Sequence, residues 1–206
     1  MSTTKYSILY WDATGRAETS RLMFNLAGVA FEDVRIKFEE WPALKAKQPF
    51  LTMPVLTIDG TKKLCQSRAI EVYLAKEFGF YPTDRWEAAQ VDQFIQALDD
   101  YLIQFKPIYY EQDPVAKGKL IQHFIDVPAP EMLTIFNRFL EQNGARHLVG
   151  DKLTLADLAL FHCLDIFTNK LHVKYDNYPA IDKFYNAINA LPKIRHYLDN
   201  RKVTEF

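Results

Sequence analysis

Near the start of the chain a phenol and a guanidinium flank a short turn: Tyr10 stands at the end of an aromatic run, Asp12-Ala13-Thr14-Gly15 follows, and Arg16 comes next. A phenol at the C-terminal end of a strand points into the region where open α/β sheets bind ligands. The plainer reading is a core aromatic, since strand aromatics are commonly buried, and Arg16 alone reads as a solvated residue at a helix start. Trp41 and Lys45, four apart, share one face of a short helix. Pro54 after Met53 is either an edge-strand proline or a cis proline fixing a tight turn; a cis bond would aim the Met53 backbone N–H and C=O outward, ready to pair with a peptide as an added strand. Gln66-Ser67 ahead of a helix reads as a cap, while the N–H groups of that helix start also make an anion site. Asp99-Asp100 reads as the solvated face of a helix.

The chain's own thiols offer little. Cys65 and Cys163 form neither a Cys-X-X-Cys pair nor a metal-ligand spacing, so they read as small buried hydrophobes, and any thiol chemistry needs a thiol brought by a ligand. His123, His147, His162, His172 and His196 are scattered. Lys plus Arg is 25 and Asp plus Glu 26, a balance of −1 with no run of five like charges, which argues against nucleic acid or an acidic membrane as partner. Apolar residues make up 49% and aromatics 14% of 206 residues, enough to bury a sizeable core and to exclude disorder. No apolar run reaches the roughly 20 residues of a membrane span, and the first residues carry no small-residue cleavage site. A soluble cytoplasmic protein is the expectation.

The elements that must position these residues fall into two halves. Residues 5–11 predict a strand, Arg16 to Ala27 a helix stopped by Gly28, and Phe31 to Ile36 a second strand, parallel to the first because a helix separates them. Trp41 to Lys47 allows only a short helix. Asp59-Gly60 between two extended runs, 54–58 and 61–64, predicts an antiparallel hairpin. A helix from Gln66-Ser67 to Gly79 completes a β-α-β-α-β-β-α order, which is thioredoxin-like. Beyond a linker at 79–82 the spacing predicts long helices only: Trp86 to Ile108; Lys117 to Gln142, bent near Pro128 and Pro130; one opened by Thr154 and Asp157 as a capping-box variant; and two shorter ones near 180–190 and 193–198. The fold class expected is therefore α+β, with a thioredoxin-like domain over 1–80 and an all-helical domain over 84–206.

Six segments in order, Tyr10-Trp-Asp-Ala-Thr-Gly-Arg-Ala-Glu18, Phe31-Glu-Asp-Val-Arg35, Glu40-Trp-Pro-Ala-Leu-Lys45, Met53-Pro54, Gln66-Ser-Arg-Ala-Ile70 and Val149-Gly-Asp-Lys-Leu-Thr-Leu-Ala-Asp-Leu158, give the chain a resemblance to the cytosolic glutathione transferases. It most closely resembles the sigma class, which includes helminth enzymes and glutathione-dependent prostaglandin D synthases. The resemblance implies a first domain that binds glutathione, a helical domain that shapes the pocket for small hydrophobic electrophiles, and a homodimer. It implies Tyr10 as the catalytic hydroxyl and Arg16 as its supporting cation. Trp41 and Lys45 would contact the glycine end, the Met53 backbone before Pro54 the cysteinyl moiety, and Gln66 with Ser67 the γ-glutamyl end. Asp100 would reach the γ-glutamyl amine from the neighbouring subunit. Glutathione is then a co-substrate, and no metal or other cofactor is expected. Alternatives within the same fold are a prostaglandin D isomerase and a non-catalytic, ligand-binding or crystallin-like member.

Three positions depart from the family pattern. Pro107 or Ile108 stands where prostaglandin D synthases carry an aromatic wall, Ala159 where a Tyr is expected, and Gln96 in place of one Asp of a cation-binding cluster of some vertebrate members.

Overall fold

Strand β1, Tyr6–Trp11, alternates buried and partly exposed side chains, the period of a sheet with a core face. In the computed structural model, which describes residues 4–204, it pairs with β2 (Phe31–Ile36) and β3 (Val55–Ile58), and β3 pairs with β4 (Lys62–Cys65), giving the order β2-β1-β3-β4. β2 runs parallel to β1, while the β1–β3 and β3–β4 pairs are antiparallel. The hairpin forms because Asp59 and Gly60 both adopt positive φ, 50° and 72°, as a right-twisted pair of strands requires.

A 3-10 turn, Gly15–Ala17, leads into α1, Glu18–Ala27, which stops at Gly28 in the left-handed conformation. A second 3-10 turn, Phe38–Glu40, precedes the five-residue α2, Trp41–Lys45. Helix α3, Ser67–Phe78, ends at Gly79, also left-handed. This is a thioredoxin-like βαβαββα layer. Its core gathers Ile8, Leu56, Leu22, Met23, Ile70 and Leu74 around Phe24, whose ring lies 5.3 Å from Tyr6 and 4.4 Å from Phe31.

The second unit runs from Pro82 to Leu191 and holds α4 (Arg85–Tyr110), α5 (Pro114–Asp126), α6 (Pro128–Gln142), α7 (Leu155–Leu171) and α8 (Pro179–Asn189). Every residue of α7 from Leu155 to Phe167 is buried, so it is the central helix. Its capping box is complete: Asp157 Oδ2 accepts from the Thr154 N–H at 2.7 Å, and Oδ1 accepts from the Leu148 N–H at 2.7 Å.

Two expectations need revision. The single bent helix over 117–142 is two helices, broken at Val127 (φ −126°, ψ −69°), because the ring of Pro128 crowds a helical conformation of the residue before it. The last helix, α9 (Pro192–Asn200), does not stay with the helical unit; the chain from Pro192 onward clusters with the unit that ends at Tyr81. There it packs on α1, and Lys193 Nζ donates to the Leu26 carbonyl at 2.7 Å. A cation at the carboxyl end of α1 caps orphan carbonyls and suits the helix dipole.

Candidate active site

Tyr10 is 8% exposed and lies one residue before the end of β1. Its hydroxyl oxygen accepts a hydrogen bond from the backbone N–H of Arg16 at 3.1 Å, across the turn that joins β1 to α1. Accepting that bond makes the phenol a better donor through its own O–H. The exposed Arg16 side chain then reaches α3, where Nη1 donates to Ser67 Oγ at 3.4 Å. Tyr10, Arg16 and Ser67 are thus brought together.

The turn is shaped for this contact. Gly15 has φ +42°, and a β carbon there would fall 2.7 Å from Tyr10 Oη. Arg21 holds the same turn from beneath. Its side chain is fully buried, Nη1 donates to the carbonyls of Ala13 (2.8 Å) and Thr14 (3.1 Å) and to Glu18 Oε2 (3.1 Å), and its guanidinium carbon lies 6.0 Å from the Tyr10 ring centroid. Burial alone would push the Arg21 pKa down, but the carboxylates of Glu18 and Asp33 outweigh it, so the net shift is upward and the charge is kept. Sequence reasoning missed Gly15, Glu18 and Arg21 as site residues. The signal present was an acid–base pair three apart at the start of α1, between buried Ala17 of the preceding turn and Leu22.

The sheet register aligns further candidates. Val55 pairs with Leu9 on one side and with Cys65 on the other. Continued by one residue, that register brings Tyr10, Pro54 and Gln66 to the same edge of the sheet. The Met53–Pro54 peptide is cis. Gln66 occupies the cap position of α3, but its side chain makes no cap hydrogen bond and its backbone sits at φ 71°, ψ 116°. A side-chain-bearing residue there costs about 1–3 kcal/mol, and such strain concentrates at ligand clamps. The cap reading of Gln66 therefore fails, and Ser67, 7% exposed at the first helical position, is tied to Arg16 instead. Trp41 is half-buried, its ring 5.7 Å from Trp11 beside Tyr10, and Lys45 stands exposed one turn further along α2. Asp100 is exposed on α4, in the other unit, where its carbonyl accepts from Gln104 Nε2 at 3.4 Å. Cys65 and Cys163 are both buried. Among the described residues, no group of three or more His, Cys, Asp or Glu side chains is placed to hold a metal ion. No helix among them is long and apolar enough to cross a membrane.

Comparison with known proteins decides what this edge belongs to. Residues 6–76 match the family described as glutathione S-transferase, N-terminal domain, and residues 99–201 match glutathione S-transferase, C-terminal domain. "Glutathione S-transferase 4" of Caenorhabditis elegans is 32% identical, over 96% of this chain and 97% of that protein. The chain belongs to the glutathione S-transferase family. As a glutathione S-transferase it is an enzyme that transfers the glutathionyl group to electrophiles, with the thioredoxin-like first unit and helical second unit of that family. Similarity to a solved prostaglandin synthase indicates the sigma-like, prostaglandin D synthase-like class of transferases. The prostaglandin synthase D of Nilaparvata lugens is similar at 31% identity and TM-score 0.86, over 97% of this chain and all (100%) of that one. The monomeric Na-GST-3 of the hookworm Necator americanus is similar at 34% identity and TM-score 0.87, over 98% of this chain and 100% of that one.

Proposed function

We propose that this transferase ionises the thiol of bound glutathione by a hydrogen bond from the Tyr10 hydroxyl, with Arg16 as supporting cation, and conjugates the thiolate to small hydrophobic electrophiles. The observation that carries the reading is the contact between the Arg16 N–H and Tyr10 Oη at the end of β1, with Arg16 reaching on to Ser67. A free thiol has a pKa of about 8.5, so only a few per cent is thiolate at neutral pH, and the thiolate is the nucleophile. Lowering that pKa by roughly two units requires about 2.7 kcal/mol of differential stabilisation, within reach of a charge-assisted hydrogen bond. Trp41 and Lys45 take the glycine end, the Met53 backbone before Pro54 pairs with the cysteinyl moiety, and Gln66 and Ser67 hold the γ-glutamyl end at the start of α3. The amino end of a helix favours that carboxylate.

The test is Tyr10→Phe, which keeps the ring and removes the donor. Thiolate absorbance of the enzyme–glutathione complex against pH should shift upward by roughly two units, with kcat at neutral pH falling ten- to about a hundredfold and the loss closing at high pH. Superimposable titration curves would return Tyr10 to the role of core aromatic. The presence of both Tyr10 and Arg16 favours a catalytic member over a crystallin-like storage protein. Similarity to a prostaglandin synthase D makes prostaglandin isomerisation the second activity to assay, beside a panel of electrophiles and hydroperoxides.

The same reading takes the protein as a cytoplasmic homodimer in which Asp100 reaches the γ-glutamyl amine of the neighbouring subunit. Large apolar side chains left on the surface, Phe50 at 65% and Leu51 at 52% exposure, support an interface. Because the similar Na-GST-3 is monomeric, sedimentation at micromolar concentration is the direct check, and a fully active monomer would remove the claim.

A further inference from the structure

A buried charge cluster joins the end of the chain to the turn that carries Tyr10. Glu18 and Arg21 are both fully enclosed, and a charge stays in the interior only when partners replace water. Arg21 Nη1 holds the Ala13 and Thr14 carbonyls and Glu18 Oε2, while its Nε donates to Asp33 Oδ1 at 3.0 Å. The other Glu18 oxygen, Oε1, accepts from Tyr197 Oη at 3.0 Å, on α9, and from Arg201 Nη1 at 2.9 Å, one residue beyond it. Lys202 pairs with Asp12, at the head of the same turn.

We infer that Tyr197 and Arg201 are positioning residues for the thiol-activating hydroxyl: they hold Glu18, Glu18 orients Arg21, and Arg21 pins the two carbonyls that place the Arg16 N–H against Tyr10 Oη. The inference rests on Tyr10 being the donor to the thiol. A buried carboxylate that loses two donors must rotate or draw in water, and the guanidinium bonded to its other oxygen moves with it. Hydrogen-bond strength falls steeply with misalignment, so a shift of a few tenths of an ångström in the turn weakens the bond from Tyr10 to sulfur. The cluster bonds none of the residues proposed to hold glutathione's end groups; of these, Ser67 is linked to the turn through the Arg16 side chain.

The experiment uses the full chain carrying Tyr197→Phe with Arg201→Gln, read by thiolate absorbance of the glutathione complex against pH and by kcat and KM. The expected result is a rise of about half to one unit in the apparent thiol pKa, so that kcat below that pKa falls roughly 3- to 10-fold, with the loss closing at high pH. The glutathione KM should stay within about twofold, since end-group binding is not altered. Arg201→Lys keeps the charge without the fork and should restore part of the loss. Thermal unfolding is measured on the same proteins: lowered stability with an unmoved titration curve means the cluster serves the fold alone and overturns the inference. Should the paired variant not fold, Tyr197→Phe alone keeps the ring packed, and an unmoved curve there overturns it equally. Tyr10→Phe is titrated alongside. A shift with Tyr10→Phe but none with the paired variant defeats this inference and leaves Tyr10 in place, whereas no shift with Tyr10→Phe defeats both. If both hold, adding the pair to Tyr10→Phe produces no further shift.

Discussion

Replacing Gly15 by Ala tests whether the turn after β1 exists to place the Tyr10 hydroxyl. The new β carbon would sit 2.7 Å from Tyr10 Oη, 2.9 Å from Cε1 and 3.2 Å from Cζ. A carbon–oxygen contact is comfortable at about 3.3 Å or more, so the ring or the turn must yield by roughly 0.6 Å. Overpacking of this kind costs about 1–3 kcal/mol, and the positive φ of +42° at Gly15 adds about 1 kcal/mol for a residue with a side chain. Unfolding free energy should therefore drop by about 2–4 kcal/mol. The functional loss is separate from that figure, because a misplacement of about 1 Å at a reacting group can cost about a hundredfold in rate. We expect kcat to fall by about tenfold or more with little change in glutathione KM, measured by steady-state kinetics beside urea unfolding. Tyr10→Phe removes the nearest atom, so in that background Gly15→Ala should destabilise less, by about 0.5 kcal/mol or more. A Gly15→Ala protein with unchanged kcat, and with the same stability cost in both backgrounds, would refute the idea that this glycine makes room for the hydroxyl.

Other perturbations separate binding from scaffold. Gln66→Ala and Ser67→Ala should each raise the glutathione KM, by about 1–3 kcal/mol in binding terms, with kcat nearly kept, because they hold an end group alike in ground and transition states; unchanged KM in both would sink the assignment. Glu18→Gln should lower unfolding free energy by about 1–3 kcal/mol, because Arg21 loses one of its two carboxylate partners and keeps only Asp33, which denaturant titration would show. The Asp12 carboxyl is held below its ordinary value of 3.8 chiefly by its hydrogen bond from Lys202, against burial. A depressed carboxyl contributes stability above its unfolded pKa and loses it as pH falls through the folded value. Lys202→Met should therefore destabilise at pH 6 and converge with the parent as pH drops below about 4, and a difference independent of pH would exclude Asp12 as the cause.

The parts legible in the sequence were those whose causes lie within a few residues of one another. Asp59-Gly60 supplies two positive φ values and so a hairpin; Thr154 and Asp157 close a capping box three residues long; Gly28 and Gly79 stop helices in the left-handed conformation. The row of Tyr10, Pro54 and Gln66 was not legible in this way, because the β1–β3 pairing that aligns Tyr10 with Pro54 joins strands far apart in the chain. Even the break at Val127 had a local signal in Pro128, read as a bend where the missing helical freedom of the preceding residue makes an end. Tertiary structure alone decided what lies beneath the site. Arg21 looks like any charged residue on an amphipathic helix, and its burial depends on Glu18, which in turn bonds Tyr197 and Arg201, 179 and 183 residues away. α9 likewise carries no local mark telling which unit it joins. Helix periodicity reports that a face is buried; which partners bury it is a long-range choice, made when several elements together replace the water around one enclosed ion pair.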